Sequence, residues 1–275
     1  MQNPERRILE NLAIEQAYKK ADKVLTRDAI HPDEFEDLYG AQNISQDNDY
    51  VAKMKAKFKE QEGAEEATAK KLATILEAII FENAELSEWF GPNASTIKTS
   101  EFDDIKNGVD SVVEFEESKT SASHLALAMD ATFSSETGGK FHRIKEEIES
   151  GELTKVKYFQ SDHMSIRGEL SKIPRVVVGV NAETVKALSE TWLENPSSLK
   201  DHPIQFQILE EILMQLRVFK DYAKKIKKTD IGATYEKVIG IVEEILEEKK
   251  KLIKDTGERD SVFYDMESNL RHFSG

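Results

Sequence analysis

The chain has 275 residues and no cysteine, and its 52 acidic and 38 basic residues give a formal net charge of −14. This composition excludes disulfides, thiolate metal sites and a cysteine nucleophile, and it weighs against a general nucleic-acid binder, whose phosphate contacts need lysine and arginine. Hydrophobic residues make up 39%, enough for a packed core. No apolar stretch has the length of a membrane span and the N-terminus does not resemble a signal peptide, so we expect a soluble, cytoplasmic protein with no membrane partner.

Residues 1–70 are predicted to form a helical N-terminal extension. Ile8 and Leu12 belong to a set of apolar residues that recur at helical spacing. A second helical stretch begins near Tyr50, and Gly63 is expected to break it into two helices.

Residues 71–195 are predicted to form an α/β core in the order α-β-β-β-α-β-β-α. The segment STIKTSEFDDIKNGVDSVVEFEE is interpreted as a hairpin that turns at Asn107-Gly108, the strongest short turn signal available. Further strands are predicted at HLALAMDATFS, TKVKYFQS and PRVVVGV, with the helix KFHRIKEEIESGEL among them and Asn181 as the N-cap of the closing helix. We therefore expect an α/β (α+β) fold: a mixed central sheet of about five strands flanked by helices, with helical N- and C-terminal extensions.

Residues 196–275 are predicted to form a C-terminal helical hairpin packed on the core, with its turn near Thr229. The first helix of this hairpin is more apolar than one buried helix face requires, so a homodimer through the C-terminal helices is one alternative. The residues concerned are Ile208, Leu209, Ile212, Leu213 and Leu216. The lysine-rich ends of both helices are interpreted as solvated helix ends that complement the helix dipole.

Asp130 stands directly after the apolar run Leu125–Met129, which is typical of a strand covered on both faces. An ionised carboxylate in that position is unfavourable unless something pairs with it. Three explanations are open: a bound cation, a buried hydrogen-bond network, or a strand end that has already reached water.

Three carboxylates on separate elements could meet at one edge of the predicted sheet. Asp110 begins the second hairpin strand, Asp130 ends the next strand, and Glu77 interrupts the apolar helix segment LEAII. Oxygen-only ligands of this kind suit Mg²⁺ or Mn²⁺. Each of the three also has a simpler interpretation, as an acidic side chain that faces water.

Other polar residues compete for a place in such a site. Asp103 and Asp104 are expected to flank the hairpin turn as solvated charges, and Glu114 and Glu116 to lie on a water-facing strand surface. Gln160, at the end of a strand, is a further candidate neighbour. The six histidines have no spacing typical of a zinc site.

The order of these elements resembles the PD-(D/E)XK nuclease superfamily over residues 71–195. The matching pieces are the helix with Glu77, Asp110 at the start of a strand, and the apolar strand that ends in Asp130. The resemblance implies an α-β-β-β-α-β core and metal-dependent hydrolysis of nucleic-acid phosphodiesters, with DNA as the expected substrate. It also implies that Asp110 and Asp130 hold Mg²⁺ or Mn²⁺ while Glu77 assists.

The sequence departs from the superfamily pattern at Thr132, which stands where a lysine is normal. Threonine supplies no positive charge, so Lys140, at the start of the next helix, is the expected substitute in catalysis. The alternative is a catalytically inactive protein with the nuclease fold, acting as a binding or scaffold module whose helical arms mediate protein–protein assembly.

Overall fold

The structure is a computed structural model that describes residues 4–61, 63–118, 120–130, 137–161 and 163–273. The helices in these ranges are α1 (Pro4–Asp28), α2 (Glu36–Tyr39), α3 (Ala41–Gln61), α4 (Ala64–Leu86), α5 (Glu101–Asn107), α6 (Thr137–Ser150), α7 (Ala182–Glu194), α8 (Ile204–Lys225), α9 (Thr229–Leu252) and α10 (Ser261–Leu270). The strands are β1 (Ala94–Lys98), β2 (Ser111–Ser118), β3 (Ser121–Asp130), β4 (Thr154–Gln160), β5 (Arg167–Ile173) and β6 (Arg175–Gly179).

The main sheet has four strands in the order β1-β2-β3-β6, and β4 and β5 form a separate two-stranded sheet. β2 pairs antiparallel with β1 and β3, whereas β3 and β6 are parallel. The predicted mixed α/β fold with helical N- and C-terminal regions is confirmed. β5 was not predicted from the sequence, because most of its side chains are exposed and its apolar residues do not alternate.

The predicted hairpin turn at Asn107-Gly108 is wrong. β1 and β2 do pair antiparallel, but the helix α5 connects them. Ser100 starts this helix by accepting a hydrogen bond from Asp103 N at 3.1 Å, and acidic residues fill the first turn. Gly108 ends it in the left-handed conformation, with φ 65°. The Asn-Gly pair therefore marks a helix end and not a tight turn.

Gly108→Ala is expected to lower the free energy of unfolding by about 1–3 kcal/mol, because alanine is strained at a positive φ. A Cβ at this position would also lie 3.1 Å from Nη1 of both Arg143 and Arg175. Urea denaturation measures the loss. The control is Gly240→Ala in α9, where a Cβ meets nothing within 4 Å and helix propensity favours alanine. Equal stability of the two variants would contradict the prediction.

One large core lies between the main sheet and the helices. α4 contributes Ile79 and α1 contributes Ala21, so the N-terminal helix packs in the same core as the predicted 71–195 region. The apolar residues of α8 that suggested a dimer are at most 3% exposed within the single chain and are not available to a second copy. In the described ranges, no helix combines the length and apolarity needed to cross a bilayer.

Side chains of α8 bond to the outer edge of β6. Gln215 donates from Nε2 to Val177 O at 2.6 Å, and its Oε1 accepts from Val177 N at 2.8 Å. Glu211 Oε2 accepts from Gly179 N at 3.1 Å. Burial raises the pKa of Glu211 well above its usual value. Both backbone groups of Val177 and the N–H group of Gly179 are thus satisfied by a helix and not by another strand.

The N-terminal helices α2 and α3 pack on β4 through an aromatic cluster. Tyr158 of β4 makes edge-on contacts with Phe35, Tyr39 and Phe102. Its hydroxyl donates to Asp47 of α3 at 2.6 Å. This cluster fixes the helical N-terminal region against the two-stranded sheet.

Candidate functional site

A lysine that was not predicted as a site residue joins the predicted carboxylates at one end of the main sheet. Lys98, the last residue of β1, has its Nζ 2.8 Å from Glu77 Oε1 of α4. The same Nζ lies 3.9 Å from Asp104 Oδ2 of α5 and donates to the backbone oxygen of Asp110 at 2.9 Å. We call Glu77, Lys98, Asp104 and Asp110 the acidic cluster. Its members come from α4, β1, α5 and the segment that follows α5.

Glu77 is buried because of its place on α4. The helix buries Leu76, Ile79 and Ile80 completely against the sheet, and Glu77 lies beside them with only 9% exposure. Its interpretation as an exposed helix-surface residue is therefore wrong. A carboxylate so placed needs a cation, and the side chain of Lys98, itself 9% exposed, meets it from β1.

The pKa values within the acidic cluster reflect burial and mutual repulsion. Burial, opposed by the Lys98 ammonium and reinforced by the charge of Asp110, raises the pKa of Glu77 to about 7. Burial alone would lower the pKa of Lys98, but Glu77, Asp104 and Asp110 together raise it. Lys98 therefore remains charged, and Glu77 titrates near neutral pH.

Asp104 faces both the acidic cluster and solvent. Burial, followed by the charge of Asp110, raises the pKa of Asp104 well above its usual value. Its side chain retains 43% exposure, so water screens part of this effect. Asp104 was expected to be a solvated residue beside a hairpin turn. It lies instead in helix α5, and its partly exposed carboxylate belongs to the acidic cluster.

The strand register brings the predicted ligands Asp110 and Asp130 to neighbouring strands. Asp110 N donates to Leu127 O at 2.9 Å, directly before β2 pairs with β3. β3 continues to Asp130, which pairs with Gly179 of β6. The carboxylate of Asp130 and the whole of Thr132 lie outside the described part of the structure. The structure therefore unites Glu77 with Asp110 and places the Asp130 backbone on the adjoining strand.

A cleft of about 480 Å³ opens beside the acidic cluster. Asp104 and Asp110 line it together with three cationic residues, Lys140 and Arg143 of α6 and Arg175 of β6. Lys140, predicted as the substitute for the missing lysine, thus shares a cleft with the predicted ligand Asp110. The two signs of charge come from different elements, the carboxylates from α5 and the segment after it, and the cations from α6 and β6.

The remaining polar candidates lie elsewhere. Asp103 was predicted to be solvated, and this is wrong, because its side chain is fully buried. Glu114, also buried, accepts hydrogen bonds from Ser161 at 2.8 Å and pairs with His124 at 2.9 Å, whereas Glu116 is exposed as expected. Gln160 lines a separate groove of about 470 Å³ that also contains Lys98 and so reaches the rear of the cluster.

Sequence reasoning missed Lys98, Arg143 and Arg175. Lys98 carried a weak signal, since it alternates with Thr96 along β1 and therefore shares a strand face with it. The two arginines gave no signal in the local sequence. Both pack against Gly108, which was interpreted as part of a hairpin turn and not as a helix end next to the site.

The possible metal-ligand atoms of the acidic cluster are of the type that a hard divalent cation prefers, but they are not arranged to bind one. They are all carboxylate oxygens, and Glu77 Oε1, although close to Lys98, has no partner with hydrogen-bond geometry. Among the described residues, no group of three or more acidic, histidine or cysteine side chains is already placed to hold an ion. An ion bound here would therefore require the carboxylates to rearrange around it.

No protein-family model matches the sequence, and neither a curated protein nor a solved structure matches the chain. The structure defines the chain as a mixed α/β protein with a buried acidic cluster at one end of its sheet. Beside that cluster lies a cleft of mixed charge.

Proposed function

We propose that this chain is a metal-dependent, nuclease-like hydrolase of nucleic-acid phosphodiesters, with DNA as its substrate. Asp110, Asp130 and Glu77 are the proposed ligands of Mg²⁺ or Mn²⁺, and Lys140 is the proposed catalytic cation. The observation that carries the proposal is the convergence of Glu77, Asp104 and Asp110 on one end of the sheet, beside the cleft that Lys140 lines.

The charge balance of the acidic cluster supports this proposal. One ammonium, from Lys98, stands among three carboxylates, and the charge of Asp110 contributes to the raised pKa values of both Glu77 and Asp104. A second cation would relieve that repulsion. Titratable groups perturbed in this way, beside a cleft, are typical of functional sites.

The acidic and basic residues at the cleft have different proposed roles. A bound divalent ion would acidify a water molecule and neutralise charge on the phosphate. Lys98 keeps the Glu77 carboxylate oriented through their 2.8 Å ion pair. Lys140, which lines the same cleft as Asp110, would stabilise negative charge that develops on the substrate.

Calorimetric titration of Mn²⁺ and a DNA-cleavage assay test the proposal together. We expect the wild type to bind Mn²⁺ and to cleave DNA, and we expect Asp110→Asn and Asp130→Ala each to weaken both activities at least tenfold. Glu116→Gln, which removes an exposed carboxylate from β2, is the matched control and should behave as wild type. Absence of Mn²⁺-dependent heat and of cleavage in the wild type would end the proposal.

A second function, a catalytically inactive binding or scaffold module with helical arms, is favoured by one observation. Lys98 already supplies the acidic cluster with an internal cation. Such a protein would bind a partner without turnover. A homodimer through its C-terminal helices would have to use residues other than the five buried in α8, and it would appear in light scattering as twice the mass of the chain.

A further inference from the structure

Two arginines form a positive wall on the cleft, although the protein as a whole is strongly acidic. Arg143 keeps 42% exposure, donates from Nη2 to Lys106 O at 3.0 Å, and has its Nε 3.7 Å from Glu147. Arg143 lines the cleft, and none of these contacts uses its Nη1.

Arg175 lies behind Arg143 and is almost completely buried. Its side chain is 4% exposed, and its Nη1 donates to Asn107 O at 2.6 Å and to Gly108 O at 3.2 Å. Nη2 forms an ion pair with Glu147, but the buried Nε has no hydrogen-bond partner. A buried arginine with an unsatisfied donor at a cleft is unfavourable unless something else compensates for it.

The two guanidinium groups converge on one point. A Cβ at Gly108 would lie 3.1 Å from Nη1 of each arginine, so both groups pack closely on this glycine. Burial, opposed by Glu147 and reinforced by the charge of Arg143, lowers the pKa of Arg175 to about 10. Both guanidinium groups lie near the Glu147 carboxylate, and Arg143, which is partly exposed, is the one of the two that a ligand in the cleft can reach.

We propose that Arg143 and Arg175 form a subsite for a phosphate group of the nucleic-acid backbone, with Arg143 in contact and Arg175 supplying charge from behind. This inference rests on the proposed function for the identity of the ligand. Arginine suits the role because its planar donors can bond two phosphate oxygens at once. Asp104 and Asp110 line the same cleft, so the backbone is oriented between a cationic and an acidic wall.

Fluorescence anisotropy of a labelled single-stranded DNA, in EDTA and at low ionic strength, tests the subsite without turnover. We expect Arg143→Gln to weaken binding about tenfold and to reduce the salt dependence of binding by about one counterion. Arg143→Lys should retain the salt dependence and lose part of the affinity. The matched control is Lys145→Gln on the same helix, because the Lys145 ammonium faces the Tyr222 ring at 5.2 Å and not the cleft. Thermal denaturation of each variant confirms that it is folded.

The outcomes separate the subsite from the proposed function. Equal affinity of Arg143→Gln and Lys145→Gln would overturn the subsite even if the wild type cleaves DNA. Loss of binding in Arg143→Gln alone, in a protein that never cleaves with Mn²⁺, would support the subsite and overturn the proposed hydrolysis. Competition by RNA as well as DNA would support recognition of the phosphate backbone. Failure of the wild type to bind DNA, with inorganic phosphate as the sole ligand detected by thermal shift, would overturn the inference.

Discussion

Asp103→Ala is expected to lower the free energy of unfolding by about 3–5 kcal/mol. The carboxylate is fully buried and accepts hydrogen bonds from Lys157 N at 2.7 Å and Tyr158 N at 3.0 Å. It also accepts from Ser100 Oγ at 2.8 Å and Asn107 Nδ2 at 2.7 Å. Alanine would leave two backbone donors of β4 without partners, at about 1–3 kcal/mol for each buried group. Urea denaturation measures the change.

Two variants separate this role from a general loss of charge. Asp49→Ala in α3 removes an exposed carboxylate and should change the stability by no more than about 0.5 kcal/mol. Asp103→Asn should also be destabilising, because both carboxylate oxygens of Asp103 accept hydrogen bonds and the NH2 group of asparagine can only donate. That NH2 group would therefore face another donor. If Asp103→Ala were as stable as Asp49→Ala, the link that we describe between α5 and β4 would not contribute to stability.

Lys98→Met is expected to be similarly severe, with a loss of about 3–5 kcal/mol, because it leaves the buried Glu77 carboxylate without its cation. The remaining charges of Asp104 and Asp110 would then act on Glu77 without opposition, and its pKa, already about 7, should rise further. Denaturation at neutral pH measures the loss of stability, and carboxyl NMR chemical shifts report the titration of Glu77.

A double variant identifies the cause. Glu77→Gln combined with Lys98→Met removes both charges of the ion pair and should recover at least half of the stability that Lys98→Met loses. Lys55→Met is the control for lysine removal, since Lys55 pairs with Glu101 at the surface and such pairs contribute about 0–1 kcal/mol. A double variant less stable than Lys98→Met would show that the ion pair is not what Lys98 contributes.

Local signals predicted most helices and strands correctly. Gly63 stands directly before α4, and Asn181 caps α7 by accepting from Thr184 N at 2.8 Å, as the sequence indicated. The prediction failed at α5, where the Asn-Gly signal for a turn outweighed the weaker signal of Ser100 followed by acidic residues. Helix α5 has only 7 residues, too few to show a helical periodicity.

The candidate site was only partly predictable because its partners are set by tertiary packing. Glu77 stood out as a charge within an apolar helix segment and Asp110 as an acidic residue at the start of a strand, and the structure brings them to one cluster. Nothing in the local sequence of Lys98 specifies that it faces α4, since that depends on how the helix crosses β1. Arg143 and Arg175 are 32 positions apart in the sequence and come together where both lie close to Gly108 and Glu147.

The bonds from Gln215 and Glu211 to β6 have a consequence for self-association. A sheet normally has two open ends at which a strand from another molecule can add. On β6 the carboxamide of Gln215 imitates one residue of a neighbouring strand by bonding both backbone groups of Val177. Fibril-like growth by addition of a strand to the β6 edge would require α8 to dissociate from β6 first. The packing of this helix therefore also protects against aggregation.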